Sequence, residues 1–101
     1  GFSQGGAMTL DIGLGLPVAG LIVLSGYLHP DLAKPGQAAP PVLIVHGRQD
    51  DVVPIVAARQ SQATLTEWGV DVKYQEFEMG HSIVPKVLDV VRGFVTNQSK
   101  L

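Results

Sequence analysis

A chain of 101 residues with a formal net charge of −2 and 16% charged residues is one domain or part of one. That charge gives no electrostatic reason to expect nucleic acid or an anionic membrane as partner. The absence of cysteine excludes disulfides, thiolate metal sites and a cysteine nucleophile, and fits a reducing, cytoplasmic compartment. No run reaches the roughly 18 apolar residues of a membrane span, so stable membrane insertion is not expected.

In chain order, Gly1-Phe2-Ser3-Gln4-Gly5-Gly6 comes first and has the form G-x-S-x-G, the nucleophile elbow. Its serine is expected on a strained strand-to-helix turn, where a Cβ at Gly1 or Gly5 would collide with the opposing backbone. Because that serine should follow a strand and the chain has no initiator Met, a C-terminal fragment is expected, with the N-terminal half absent. From Gln4 to about Leu14, residues Ala7, Met8, Leu10, Ile12 and Leu14 predict a short, mostly buried helix, ended by Gly15 and Pro17. Ala19 to Leu24 is a continuous apolar run, as expected of a strand buried on both faces of a parallel sheet. Tyr27 to Pro41, with Pro30, Pro35, Gly36 and Pro40, reads as a long excursion loop. Val42 to Val45 predicts the next buried strand, ended by His46-Gly47. Pro54 to Trp68 predicts a helix with an apolar stripe of Ile55, Ala58, Ala63, Leu65 and Trp68, capped by Gly69. Val70 to Phe77 alternates like an edge strand with one wet face. Met79 to Ser82 is a turn. Ile83 to about Thr96 closes with a helix whose apolar positions are Val84, Val87, Leu88, Val91 and Val95, with Pro85 in its first turn.

Alternating strands and helices argue for a parallel sheet with flanking helices, whose chemistry sits outside the carboxyl ends of the strands. Ser3, Asp50 and His81 each fall just after a strand or an expected one. Ser3 as a nucleophile needs a base, because a hydroxyl attacks poorly at neutral pH; the bland reading is a glycine-rich turn with an incidental serine N-cap. Three histidines compete for the base. His81 follows Gly80 in a turn before a helix; His46 ends a strand and fits a satisfied structural role equally; His29 sits in the proline-rich loop. A metal site ranks low, with no histidine pair at helical ligand spacing and no cysteine. For the acid, Asp50 and Asp51 are neighbours in one loop and point in different directions, so one holds an imidazole and the other faces solvent or caps the Pro54 helix. Asp31, Asp71 and Asp89 read as loop, wet strand face and exposed helix face.

Four blocks together resemble the phospholipase/carboxylesterase family of α/β-hydrolases, which contains the acyl-protein thioesterases and small bacterial carboxylesterases. They are Gly1-Phe2-Ser3-Gln4-Gly5-Gly6-Ala7-Met8, Leu24-Ser25-Gly26-Tyr27, His46-Gly47-Arg48-Gln49-Asp50-Asp51-Val52-Val53-Pro54 and Gly80-His81-Ser82. The order Ser, Asp, His is that of an α/β-hydrolase. The resemblance implies the C-terminal half of that fold, with Ser3 as nucleophile, Asp50 rather than Asp51 as acid, His81 as base, and the Gln4 backbone N–H as one oxyanion donor. It implies a carboxylester, acyl thioester or lysophospholipid substrate and no metal or organic cofactor; the sequence does not fix the oligomeric state, and a dimer is compatible with it. The family's early strands and oxyanion loop have no counterpart in the sequence. Phe2 and Leu28 are candidates for an acyl pocket or for packing alone. Two other readings compete: a related serine hydrolase acting on peptides or lactones, and a non-catalytic binding domain that keeps the fold. The isolated 101 residues are expected to be inactive and marginally stable.

Overall fold

The computed structural model describes residues 1–98 except 17, 30, 31, 33 and 35–38. Pro17, Pro30, Asp31, Pro35 and Gly36, read above as breaker and loop residues, lie outside the described residues. The observed order is α1 (Gln4–Gly13), β1 (Leu21–Leu24), β2 (Val42–Gly47), α2 (Ile55–Glu67), β3 (Val72–Phe77) and α3 (Pro85–Gln98). The strands form one parallel sheet in the order β1-β2-β3, with Leu21 opposite Val42 and Val42 opposite Val72. Residues 1–3 extend it: Phe2 bridges Leu24 in parallel, Leu24 N–H donates to Gly1 O at 2.8 Å, and Ser3 N–H donates to Leu24 O at 2.8 Å. Ser3 therefore leaves the sheet at the same edge as the ends of β1, β2 and β3.

Side chains alternate across a strand, so a buried central strand feeds two cores. On one face Val42 and Ile44 pack with Leu21, Val23, Leu10 and Leu14, and with Leu65 and Val70 around α2. On the other, Leu43 and Val45 pack with Met79 and with Val87 and Phe94 of α3. All six residues of β2 are buried. Fully burying each such aliphatic side chain stabilises the fold by about 1.5–3 kcal/mol. Among the described residues, no helix is long and apolar enough to cross a membrane.

Several sequence expectations need correction. β1 starts at Leu21 rather than Ala19, which is exposed, and β2 runs on through His46 and Gly47. α1 is not mostly buried: Ala7, Leu10 and Leu14 face the core, while Met8 and Ile12 are 53% and 60% exposed. The buried stripe of α2 is Ala58, Ser61 and Leu65, with Ala63 exposed. Ser61 is tolerated inside because its hydroxyl donates to Ala57 O at 2.7 Å and accepts Leu28 N–H at 2.8 Å. On α3 the buried positions are Val87 and Phe94, while Leu88 and Val95 are half exposed. As expected, Gly69 follows α2 in the left-handed region at φ 83°, and β3 alternates half-buried with exposed positions.

Candidate active site

Ser3 stands at the N-cap position of α1 with φ 57° and ψ −122°, and its side chain makes no capping hydrogen bond. A non-glycine residue in that region costs about 1–3 kcal/mol and persists only where its surroundings hold it. Here Ser3 N–H is fixed to Leu24 O, while Ser3 O accepts Gly6 N–H at 2.9 Å. The crowding at this turn falls on Gly1, where a Cβ would lie 2.3 Å from Gly5 O, and on Gly6, where it would lie 3.0 Å from Val23 Cγ1. Gly5 was expected to be crowded and is not: a Cβ there meets nothing within 4 Å among the described residues.

The hydroxyl released by this turn meets His81. Ser3 Oγ lies 2.8 Å from His81 Nε2, and His81 Nδ1 lies 2.7 Å from Asp50 Oδ2. Asp50 is buried in the turn after β2, where its Oδ1 accepts the N–H groups of Val52 at 2.9 Å and Val53 at 2.8 Å. Burial pushes this carboxyl up, but hydrogen bonds from His81, Val53 and Val52 outweigh it and hold it below its ordinary value of 3.8. An ionised carboxylate only accepts, so the His81 proton sits on Nδ1 and leaves the Nε2 lone pair to accept the Ser3 hydroxyl proton. Asp51 is exposed, and Pro54 rather than Asp51 occupies the N-cap of α2.

Close packing of two loops brings the acid and the imidazole together. Gly47 ends β2 against the turn carrying His81, so that a Cβ there would lie 2.2 Å from Met79 O and 2.6 Å from Gly80 O. Gln49 N–H donates to Met79 O at 3.1 Å and Arg48 N–H to Phe77 O at 2.9 Å. Outside, Arg48 and Arg59 donate to Glu76, whose carboxyl is lowered to about 2 by Arg59 and then Tyr74. Arg48 and Gln49 also bond Glu78. These side chains tie the acid loop to the end of β3.

The other candidates are placed as follows. Among the described residues, His81 alone of the three histidines touches both Ser3 and an aspartate. His29 is exposed, 3.2 Å from Asp11 Oδ2 and stacked on Tyr27. His46 is fully buried, with Nε2 2.7 Å from Val53 O. Asp71 and Asp89 are exposed, as expected. Gln4 opens α1, so its N–H has no carbonyl one turn back to bond and points from the positive end of the helix. Phe2 packs its ring against the His81 imidazole at 4.8 Å between centroids. Leu28 instead lines an open groove of about 820 Å³ with Tyr27, Leu32, Val53, Ala57 and Trp68; neither Ser3 nor His81 borders it. Sequence reasoning missed the close approach at Gly47 and the buried Ser25, which sits at φ 54° after β1 with its hydroxyl unpartnered among the described residues. The glycine ending a strand was the available signal for the first; Ser25 had none.

The sequence model of the phospholipase/carboxylesterase group matches residues 1–99. The chain belongs to this family. It is similar to acyl-protein thioesterase 1 of Gibberella zeae, at 39% identity over 97% of the chain and 46% of the relative. Among solved structures it resembles the esterase PE8, with TM-score 0.85 and 33% identity over 96% of the chain and 47% of that protein. It also resembles Arabidopsis thaliana SOBER1, with TM-score 0.88 and 31% identity over 99% of the chain and 51% of that protein. The fold is that of an α/β-hydrolase, and the chain spans about half the length of the relatives it matches.

Proposed function

We propose that residues 1–101 supply the C-terminal half of a serine hydrolase that cleaves carboxylic esters or acyl thioesters. The observation that carries this reading is one imidazole set between the Ser3 hydroxyl at 2.8 Å and the Asp50 carboxylate at 2.7 Å. As Ser3 Oγ attacks the acyl carbonyl carbon, its proton passes to His81 Nε2, and Asp50 stabilises the imidazolium through Nδ1–H. The Gln4 N–H bonds the developing oxyanion, with a second donor from a loop outside these residues. The carbon–oxygen or carbon–sulfur bond then breaks, and His81 returns the proton to the leaving alcohol or thiol. Water repeats the cycle on the acyl-Ser3 ester, releasing the acid and restoring the hydroxyl.

Thioesters enter as substrates because the relative from Gibberella zeae carries the name acyl-protein thioesterase. Met8 and Ile12, exposed on α1, support a missing half that covers them, so the 101 residues alone are inactive. A sharp thermal transition with full turnover by the isolated chain would refute that. The function itself is tested by Ser3→Ala in the complete enzyme, assayed on a p-nitrophenyl ester and an acyl thioester. Loss of about 10³-fold or more in kcat, with loss of fluorophosphonate labelling, is the expected result. Retained turnover in this variant overturns the reading.

A further inference from the structure

His46 has no part in the proton relay just described, yet its side chain is fully enclosed beside it. Its ring is fully buried at the end of β2. A buried N–H must find an acceptor, and Nε2 lies 2.7 Å from the Val53 carbonyl oxygen. A carbonyl only accepts, so Nε2 carries the proton and Nδ1 is a bare lone pair. Consistent with that, Nδ1 has no partner among the described residues. The same Nε2 stands 3.4 Å from Asp50 Oδ2, the oxygen that takes the His81 Nδ1–H at 2.7 Å.

The backbone of Val53 is thereby held on both sides of its Cα. Its N–H donates to Asp50 Oδ1 at 2.8 Å, while its carbonyl accepts from His46. The turn from Asp50 to Val53 has few other anchors: the Asp50 N–H reaches Gly47 O at 3.3 Å, and Val52 and Val53 bond Asp50 itself. Outward, the turn is held by Asp50 N–H on Gly47 O, by His81 on Asp50 Oδ2 and by His46 on the Val53 carbonyl. Of these, the His46 bond is the one that ties the far end of the turn, at Val53, back to the central strand. Opposite His46 in register, Glu76 is taken up by Arg59, Arg48 and Tyr74, which leaves the His46 N–H to Val53 and Asp50.

We propose that His46 is a positioning residue: through the Val53 carbonyl it sets the angle at which Asp50 Oδ2 faces His81. The inference rests on reading Ser3, His81 and Asp50 as the reacting set. Glutamine places a side-chain N–H where Nε2 stands, whereas asparagine reaches only as far as Nδ1. In the complete enzyme, His46→Gln should therefore keep kcat near the wild-type value. His46→Asn should lose about 10- to 100-fold in kcat with KM little changed, the scale of loss when a reacting group is misplaced by a fraction of an ångström to 1 Å. A low-field proton resonance from the His81 Nδ1–H should persist in the glutamine variant and shift upfield or vanish in the asparagine variant.

Ser3→Ala, run beside them, separates the two readings. If it retains turnover, the reacting set is wrong whatever His46 does. If it is inactive and His46→Asn matches wild type, the positioning role alone is overturned. Equal losses in both His46 variants, tracking lowered thermal stability with the resonance unchanged, also overturn it, because they mark a residue that merely packs.

Discussion

Gly47 is the point where the geometry makes its sharpest demand, and Gly47→Ala in the complete enzyme tests it. A Cβ there would stand 2.2 Å from Met79 O, whereas real Cβ contacts below 3.0 Å are essentially never seen. The obstructing atoms are backbone, so no side chain can swing aside. Either the end of β2 or residues 79–80 must recede by roughly 1 Å. His81 follows Gly80 directly, and its bonds to Asp50 and Ser3, now 2.7 and 2.8 Å, would lengthen past hydrogen-bonding reach. A misplacement of that size costs about 10²-fold in kcat. The overpacking costs about 1–3 kcal/mol of stability. Turnover of a p-nitrophenyl ester and a thermal melt read the two effects separately. Wild-type kcat in Gly47→Ala would refute the reasoning, since it would mean that the two loops have slack at odds with their close packing.

Asp50→Asn should keep the turn, because its amide oxygen still accepts from Val52 and Val53, yet lose about 10⁴-fold in kcat by presenting a donor to His81 Nδ1; Asp51→Asn, at an exposed site, should leave kcat unchanged. Asp50 and Glu76 are both held below their ordinary values of 3.8 and 4.5, Glu76 to about 2. The stability they contribute is therefore fully present above those values and lost as pH falls through the lowered ones. Melting temperature should fall between pH 4.5 and 2, and Glu76→Gln should flatten part of that slope; an unchanged slope would count against the Arg59–Glu76 bond. Ile44→Ala, at the centre of β2, should cost about 2–5 kcal/mol by denaturant unfolding, through lost burial and the cavity left behind.

The serine turn, the order of elements and the shared sheet edge were legible because each rests on local rules. G-x-S-x-G dictates a turn, continuous apolar runs dictate two-sided burial, and strand–helix alternation dictates a parallel sheet. The choice between Asp50 and Asp51 was not legible from the residues alone. It depends on which carboxylate turns back to accept the N–H groups two and three residues on, a property of the folded turn. His46 was ambiguous for a related reason: a histidine at a strand end reads the same in sequence whether it faces a reaction or packs inside, and its full burial with Nε2 2.7 Å from Val53 O is a property of the folded chain. Gly5 was misjudged because the motif names two glycines, whereas the crowding depends on which neighbours cross the turn. The helix faces were misjudged where apolar residues outnumber the buried positions, as at Ile12, Leu88 and Val95.

Ser3 and its imidazole partner are 78 positions apart, and the aspartate stands 31 before that partner. On the function proposed above, a ribosome releases Ser3 long before it has made His81. Until the final third of this segment has been threaded into place, the serine is an ordinary alcohol, and the growing polypeptide remains chemically silent.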